Sequence, residues 1–305
     1  MKKLNVVFEG TVDTTGYLFS LVKCLSASLR CGGYEEYAND IIAASGFAFR
    51  MWVDASLCPS ATSIWEFKKQ KPWIESGGLV CDYVERMWEE NDVEEERRLH
   101  GIEIIKKSVD NGIAAVVWDI SGSEWGLVTG YDDETKTLST LKIFGDESEI
   151  PYDKLGQLDL PILSVLTVTG KTDKSNADII ADTKKLAASH LRGEEWCDNV
   201  KGIAAYDTLI DFVEDKMTSD TVWNLEYYLG TYAALKWYAW KFFEKYGEAE
   251  LADIYKSVYR LWQNAFDFKK TNEDSILSEV TLKCITNFLR EAKVLEEKSL
   301  ALLEM

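Results

Sequence analysis

Histidine, proline and cofactor-binding motifs are what this sequence has least of. Its 305 residues include only 2 histidines, His100 and His190, and 4 prolines. So few histidines make a zinc site of ordinary composition unexpected. No Walker-type loop, no dinucleotide-binding glycine motif and no H-E-x-x-H occurs, so nucleotide-dependent enzymes and zinc metalloproteases have no support. We therefore expect no cofactor and no metal.

Long apolar runs and paired cysteines are also missing. No stretch reaches the roughly 18 apolar residues of a membrane helix. The N-terminal apolar stretch breaks at Glu9, which predicts a first strand rather than a signal peptide. Six scattered cysteines without a C-x-x-C pair predict reduced thiols and a cytoplasmic location. The formal charge of −18 argues against nucleic acid and anionic membranes as partners.

The chain divides into two halves at a polar, turn-forming stretch, residues 170–178. We expect one domain over residues 1–171 and a second over residues 172–305. The second half has no proline, and its helical apolar spacing predicts five helices, at 176–192, 199–217, 220–246, 248–270 and 275–303. The third of these is rich in aromatic residues, a pattern typical of a helix in a core.

The first half mixes helix and strand signals. The helical pattern after Asp13 predicts a helix that this residue caps. A later helix is expected to begin at Asn91 and Glu94, which resemble a capping box, and to end before Gly112. The apolar period then changes to two, which predicts strands at 113–120, 125–132, 137–144 and 160–169. Because short turns join the first three strands, we expect antiparallel neighbours and an α+β fold.

Several segments resemble a known family. IKKSVDNGIAAVVWDI and EWGLVTGYDDETKTLSTLKIFGDESEIPYDKL carry the strongest likeness, and DTTGYLFSLVKCL, IIAASGFAFRMW and KGIAAYDTLIDFVE add to it. They resemble the papain-like family of the butirosin biosynthesis protein H N-terminal domain, which is related to bacteriocin-processing double-glycine cysteine peptidases. The resemblance implies a papain-like domain with an antiparallel sheet, followed by an all-helical domain. It also implies cysteine-dependent acyl chemistry.

The two reactive positions of that family are substituted here. The family's cysteine falls within residues 12–14, and its histidine falls at Glu124, six residues before Gly130. The resemblance therefore predicts a catalytically degenerate protein that binds a small molecule or peptide in the cleft between its two domains. The expected lining residues are Asp13, Thr14, Trp118, Glu124, Trp125 and Tyr131, which supply carboxylates and aromatic walls. In a plainer interpretation, Asp13 only caps a helix and Glu124 is a solvated strand end.

Two other functions stay open from the sequence. An active amide hydrolase or acyltransferase would need another thiol. The best remaining candidate pair is Cys197 as the thiol with His190, seven residues earlier, as its base. A protein-interaction scaffold would instead expose an apolar patch at the expected cleft. The sequence also leaves a homo-oligomer open.

Overall fold

The computed structural model describes residues 1–62 and 66–305. These residues group into two compact units. The first unit comprises Met1–Thr11, Ser20–Ile41 and Phe67–Ser175, and the second comprises Val12–Phe19, Ile42–Glu66 and Asn176–Met305. The long C-terminal segment thus begins four residues after the expected boundary. Two segments of the expected first domain, 12–19 and 42–66, group with the second unit.

The strands and helices alternate in the first part of the chain and become mostly helical later. The strands are β1 (Lys2–Lys3), β2 (Trp52–Val53), β3 (Leu79–Arg86), β4 (Ala115–Val117), β5 (Gly126–Asp132), β6 (Thr137–Leu141), β7 (Glu147–Pro151), β8 (Leu163–Lys171) and β9 (Val200–Lys201). The described helices are α1 (Ser20–Cys31), α2 (Asp40–Ala44), α3 (Gln70–Ser76), α4 (Glu94–Asp110), α5 (Asn176–Arg192), α6 (Ala204–Asp215), α7 (Val222–Lys245), α8 (Ala249–Thr271) and α9 (Glu279–Leu303).

A seven-stranded antiparallel sheet forms the centre of the first unit. Its order is β3-β8-β4-β5-β6-β7, and β1 pairs with β5. The expected antiparallel pairing of β4, β5 and β6 is confirmed. Helix α4 packs on one face through a core that includes Ile105, Val117, Val128 and Val165. Side chains alternate between the two faces of a sheet, so the strand residues next to these core positions point toward the opposite face. Helix α1 contacts β4 and β5, while α3 contacts β3.

Two expected helix starts are wrong. Helix α1 begins at Ser20 rather than after Asp13. The Asp13 carboxylate instead accepts hydrogen bonds from the Gly16 and Leu18 amides at 2.8 and 3.1 Å, in a turn where Gly16 has a φ of 84°. Helix α4 has Val93 at its N-cap without a side-chain cap, so Asn91 forms no capping box. In both cases a local turn precedes the helix that the apolar pattern predicted.

The second unit is a helical bundle with a two-stranded sheet, β2 paired with β9. The five expected helices correspond to α5 through α9, and α8 contacts both α7 and α9. Most aromatic side chains of α7 are buried, including Tyr228, Tyr232 and Phe243, whereas Trp223 is exposed. The antiparallel sheet and the C-terminal helical region confirm the α+β class. None of the described helices has the length and hydropathy needed to cross a membrane.

A chain of buried polar contacts crosses the interior of this bundle. The Lys236 ammonium donates to Glu296 at 2.6 Å, and both side chains are fully buried. The other Glu296 oxygen accepts from the Tyr206 hydroxyl at 2.8 Å, and that hydroxyl accepts from the Trp262 indole at 2.8 Å. Each charge is therefore matched by a partner, which offsets much of the cost of removing it from water.

Candidate functional site

A hydroxyl and a carboxylate meet at one end of the first unit's sheet. Ser20 is the first residue of α1 and Glu124 lies two residues before β5. The Ser20 hydroxyl donates a hydrogen bond to Glu124 Oε2 and accepts one from the Trp125 amide at 3.2 Å. Ser20 is only 2% exposed, while Glu124 is half-buried. This contact holds the start of α1 against the entrance of β5.

A tight loop between β4 and β5 carries Glu124. Asp119 and Ser123 both have positive φ, 66° and 58°, which is uncommon for residues other than glycine. The Asp119 carboxylate holds the loop by accepting from the Ser123 amide at 2.6 Å and from the Leu160 amide at 2.7 Å. Burial raises the pKa of Asp119 above its ordinary value. The loop is thus a fixed support for Glu124 rather than a loose connection.

Three aromatic rings lie beside this support. The rings of Phe67, Trp118 and Trp125 are in mutual contact, with each pair of centroids 5.2 Å apart. All three side chains are at most 1% exposed. The expected aromatic residues Trp118 and Trp125 are therefore brought together with Glu124, but as an interior cluster rather than as open walls.

Buried polar atoms of this cluster lack partners. In the part of the chain that the structure describes, nothing hydrogen-bonds the indole nitrogens of Trp118 and Trp125 or either amide atom of Gln70. Gln70 is fully buried at the first position of α3, one turn after Phe67. Buried polar side-chain atoms normally have a partner, so these four atoms need an explanation.

A second polar group occupies the same end of the sheet. Ser164 lies at the start of β8, and its carbonyl accepts from the Trp118 amide at 3.0 Å. The Tyr83 hydroxyl lies 3.0 Å from Ser164 Oγ and donates to Glu85 at 2.9 Å. Burial, and then the negative charge of Glu85, raise the pKa of Tyr83 well above its ordinary value. Two carboxylates therefore lie at this end of the sheet: Glu85 near the end of β3 and Glu124 just before β5.

Tyr131 lies away from this group. It is six residues beyond Trp125 along β5, a separation of about 20 Å in an extended strand. Its hydroxyl donates to Asp110 at 2.9 Å, and the Lys106 ammonium lies 5.1 Å from its ring centroid. Tyr131 is half-buried there and packs against the core beneath α4, so it is not part of the group around Glu124.

Asp13 and Thr14 belong to the second unit. The Asp13 carboxylate forms the turn described above, and the Thr14 hydroxyl is buried without a hydrogen-bond partner among the described residues. Neither residue groups with the unit that contains Glu124.

His190 and Cys197 also lie in the second unit, and each has its own contacts. His190 is fully buried, with Nδ1 against the Glu195 carboxylate, and the Trp52 indole donates to the same carboxylate at 2.7 Å. Glu195 favours the protonated imidazole, but burial, followed by the positive charges of Arg50 and Lys236, lowers the pKa of His190 well below its ordinary value. The Cys197 sulfur accepts from the Asn199 amide at 3.3 Å.

Three of the other thiols have the electrostatics of buried, unreactive cysteines. All six cysteines are free. Burial raises the pKa of Cys81 to about 12 and also raises the pKa values of Cys24 and Cys31. A nucleophilic cysteine needs the opposite shift. Within residues 1–62 and 66–305, no group of three or more histidine, cysteine, aspartate or glutamate side chains is arranged to hold a metal ion.

Sequence reasoning missed Ser20 and Gln70. Ser20 lay inside the helix expected to begin at Asp13, so nothing marked it as a helix start. Gln70 stands in the polar run KKQK, which indicates an exposed segment. Only the spacing of Phe67 and Gln70, three residues apart on one helical face, could have suggested that the glutamine is buried.

Comparison with protein-family models finds no matching family, and comparison with curated protein sequences finds no significant match.

Proposed function

We propose that the first unit binds a small molecule or peptide at the sheet end formed by Ser20, Glu124 and Trp125, on a papain-like scaffold without its cysteine–histidine pair. The observation that carries the proposal is the contact between the Ser20 hydroxyl and Glu124, at the start of a helix that packs on an antiparallel sheet. Polar groups from two elements far apart in sequence, α1 and the loop before β5, converge there, and converging polar groups are a feature of ligand sites.

The papain-like assignment has its own support. A helix faces the strands β4 and β5, and the residue six positions before Gly130 lies at the entrance of β5 beside the start of that helix. In the resemblance described above, the cysteine lies at the start of the first helix and the histidine at the position of Glu124. The sequence placed that cysteine within residues 12–14, but α1 begins at Ser20, so the residues that meet at the helix start are Ser20 and Glu124. The proposed function is therefore binding rather than cysteine chemistry.

The test is a thermal-shift screen with defined probes: free amino acids, polyamines and N-acetylated dipeptide amides. We expect at least one probe to raise the Tm of the wild-type chain and of Glu149→Ala, a matched exposed carboxylate on β7. The same probe should not raise the Tm of Glu124→Ala. Shifts that survive in Glu124→Ala, or a panel without any shift, would overturn the proposal.

A second candidate function is an amide hydrolase or acyltransferase that uses Ser20. Its hydroxyl donates to a carboxylate, which is the geometry of a nucleophile and its base. A fluorophosphonate probe tests this, because attack by Ser20 Oγ forms an O–P bond, releases fluoride and transfers the hydroxyl proton to Glu124. Labelling of the wild-type chain that disappears in Ser20→Ala and persists in Ser148→Ala would favour the enzyme. Absence of labelling would favour binding alone.

A further inference from the structure

The unpartnered atoms at the site define a pattern of donors and acceptors. The indole nitrogens of Trp118 and Trp125 are donors only, whereas the Gln70 side chain offers two amide hydrogens and one carbonyl oxygen. All three side chains are at most 1% exposed. Leaving such groups unpaired in the interior destabilises the chain, so a partner from outside it would gain binding free energy here.

These atoms belong to one small region. The Phe67 ring contacts both indoles, and Gln70 follows Phe67 by one helical turn. The Trp125 backbone amide is itself bonded to Ser20, whose hydroxyl contacts Glu124. The unpartnered donors therefore adjoin the site of the proposed function.

The charge of the surroundings selects among possible partners. An anion would accept from the indoles but would approach Glu124 and also Glu85, which lies at the same end of the sheet. An ammonium group would suit the carboxylates but has no acceptor for the indole donors. An uncharged amide has a carbonyl oxygen with two lone pairs and an N–H donor, so it matches both indoles and the Gln70 carbonyl.

From this complementarity we propose that the site recognises an uncharged amide group, as in a peptide bond or a primary carboxamide. The inference rests on the proposed function, since it names the class of ligand for the same site. The carbonyl of the ligand accepts from the indoles of Trp118 and Trp125, and its N–H donates to the oxygen of Gln70.

Nuclear magnetic resonance of the indole N–H groups tests the proposal. The variants Trp118→Phe and Trp125→Phe assign the two resonances among those of the 11 tryptophans. The probes are N-methylacetamide, acetate and methylammonium at equal ionic strength. We expect saturable shifts of both resonances with N-methylacetamide only. In Gln70→Met the affinity should fall at least tenfold, while Gln263→Met, a helix glutamine of the second unit, should leave it unchanged.

The outcomes separate this inference from the function on which it rests. Shifts caused by methylammonium or acetate and abolished by Glu124→Ala would keep the binding site and overturn the amide. The indole resonances could also respond to no probe, with slow solvent exchange of the indole N–H groups that is unchanged in Gln70→Met. That result would mean that ordered water alone pairs with the indoles, and it would overturn amide recognition as well. If the probes also raise the Tm of Glu124→Ala as much as that of the wild-type chain, the proposed function is overturned together with amide recognition.

Discussion

Buried tryptophan indoles of the two units differ in whether they have a hydrogen-bond partner. In the second unit, the Trp262 indole donates to Tyr206 at 2.8 Å, as part of the contacts that lead to Glu296 and Lys236. In the first unit, the indoles of Trp118 and Trp125 have no hydrogen-bond partner among the described residues. In the network around Trp262 the fold itself supplies the partners, whereas the indoles of Trp118 and Trp125 keep donors that a molecule from outside the chain could use.

The largest effect is expected where the complete network is broken. Glu296→Ala leaves the Lys236 ammonium buried without its carboxylate, so the free energy of unfolding should fall by about 3–5 kcal/mol. Urea unfolding followed by circular dichroism measures this change. The double variant Lys236→Met, Glu296→Leu removes both charges and should lose much less. Equal losses in the single and double variants would show that the ion pair is not what the fold depends on.

A smaller effect should follow from pH at His190. Because burial and the neighbouring cations lower its folded-state pKa, the unfolded chain binds a proton more readily below its ordinary pKa of about 6.5. Stability is therefore fully present above that pH and should decrease by up to about 1.4 kcal/mol per pH unit as the pH falls toward the folded-state pKa. The measurement is urea unfolding between about pH 7 and pH 5 for wild type and His190→Gln. The variant should show the shallower dependence, and parallel curves would contradict the assignment.

The smallest effect is expected when the hydrogen-bonded indole of Trp262 is compared with the unpartnered indole of Trp118. Trp262→Phe and Trp118→Phe remove similar volumes from the interior, but only the first removes an existing hydrogen bond. Trp262→Phe should therefore cost about 1 kcal/mol more in unfolding free energy than Trp118→Phe. The comparison is made without ligand. If Trp118→Phe costs as much as Trp262→Phe, the Trp118 indole has a partner in the free protein.

Much of the fold could be predicted from periodicity. The strands β4, β5 and β6 and the helices α8 and α9 have clear apolar periods, and tertiary packing preserved them. Helix α7 is apolar and aromatic on nearly all sides, which also marks a buried helix. Strand β7 was missed because its side chains are exposed or half-buried, so it has no apolar alternation to detect. Strand β3 was missed because charged residues such as Asp82 and Arg86 interrupt its apolar pattern, although Arg86 is buried in the structure.

The site was harder to predict than the fold. Glu124, Trp118 and Trp125 are close in sequence, and the structure places the two indole rings in contact within the interior, next to Glu124, rather than on the wall of an open cleft. The contact between Ser20 and Glu124 joins residues 104 positions apart, which no local pattern reveals. Asp13 was expected at the site because the resemblance places the family's cysteine within residues 12–14, at the start of the first helix. Helix α1 begins only at Ser20, after a turn in which Gly16 has a positive φ, and apolar spacing does not report such a turn.

The acidic outer strand β7 has a consequence for the protein at high concentration. An exposed sheet edge is a template on which a second chain can add a strand, and charged residues or proline prevent such growth. Strand β7 carries Glu147, Glu149 and Pro151, while the opposite edge, β3, shifts register between Val80 and Cys81. Charge repels a second copy at one border, and an irregular backbone offers it a poor match at the other. Both edges of this open sheet therefore disfavour fibril-like extension.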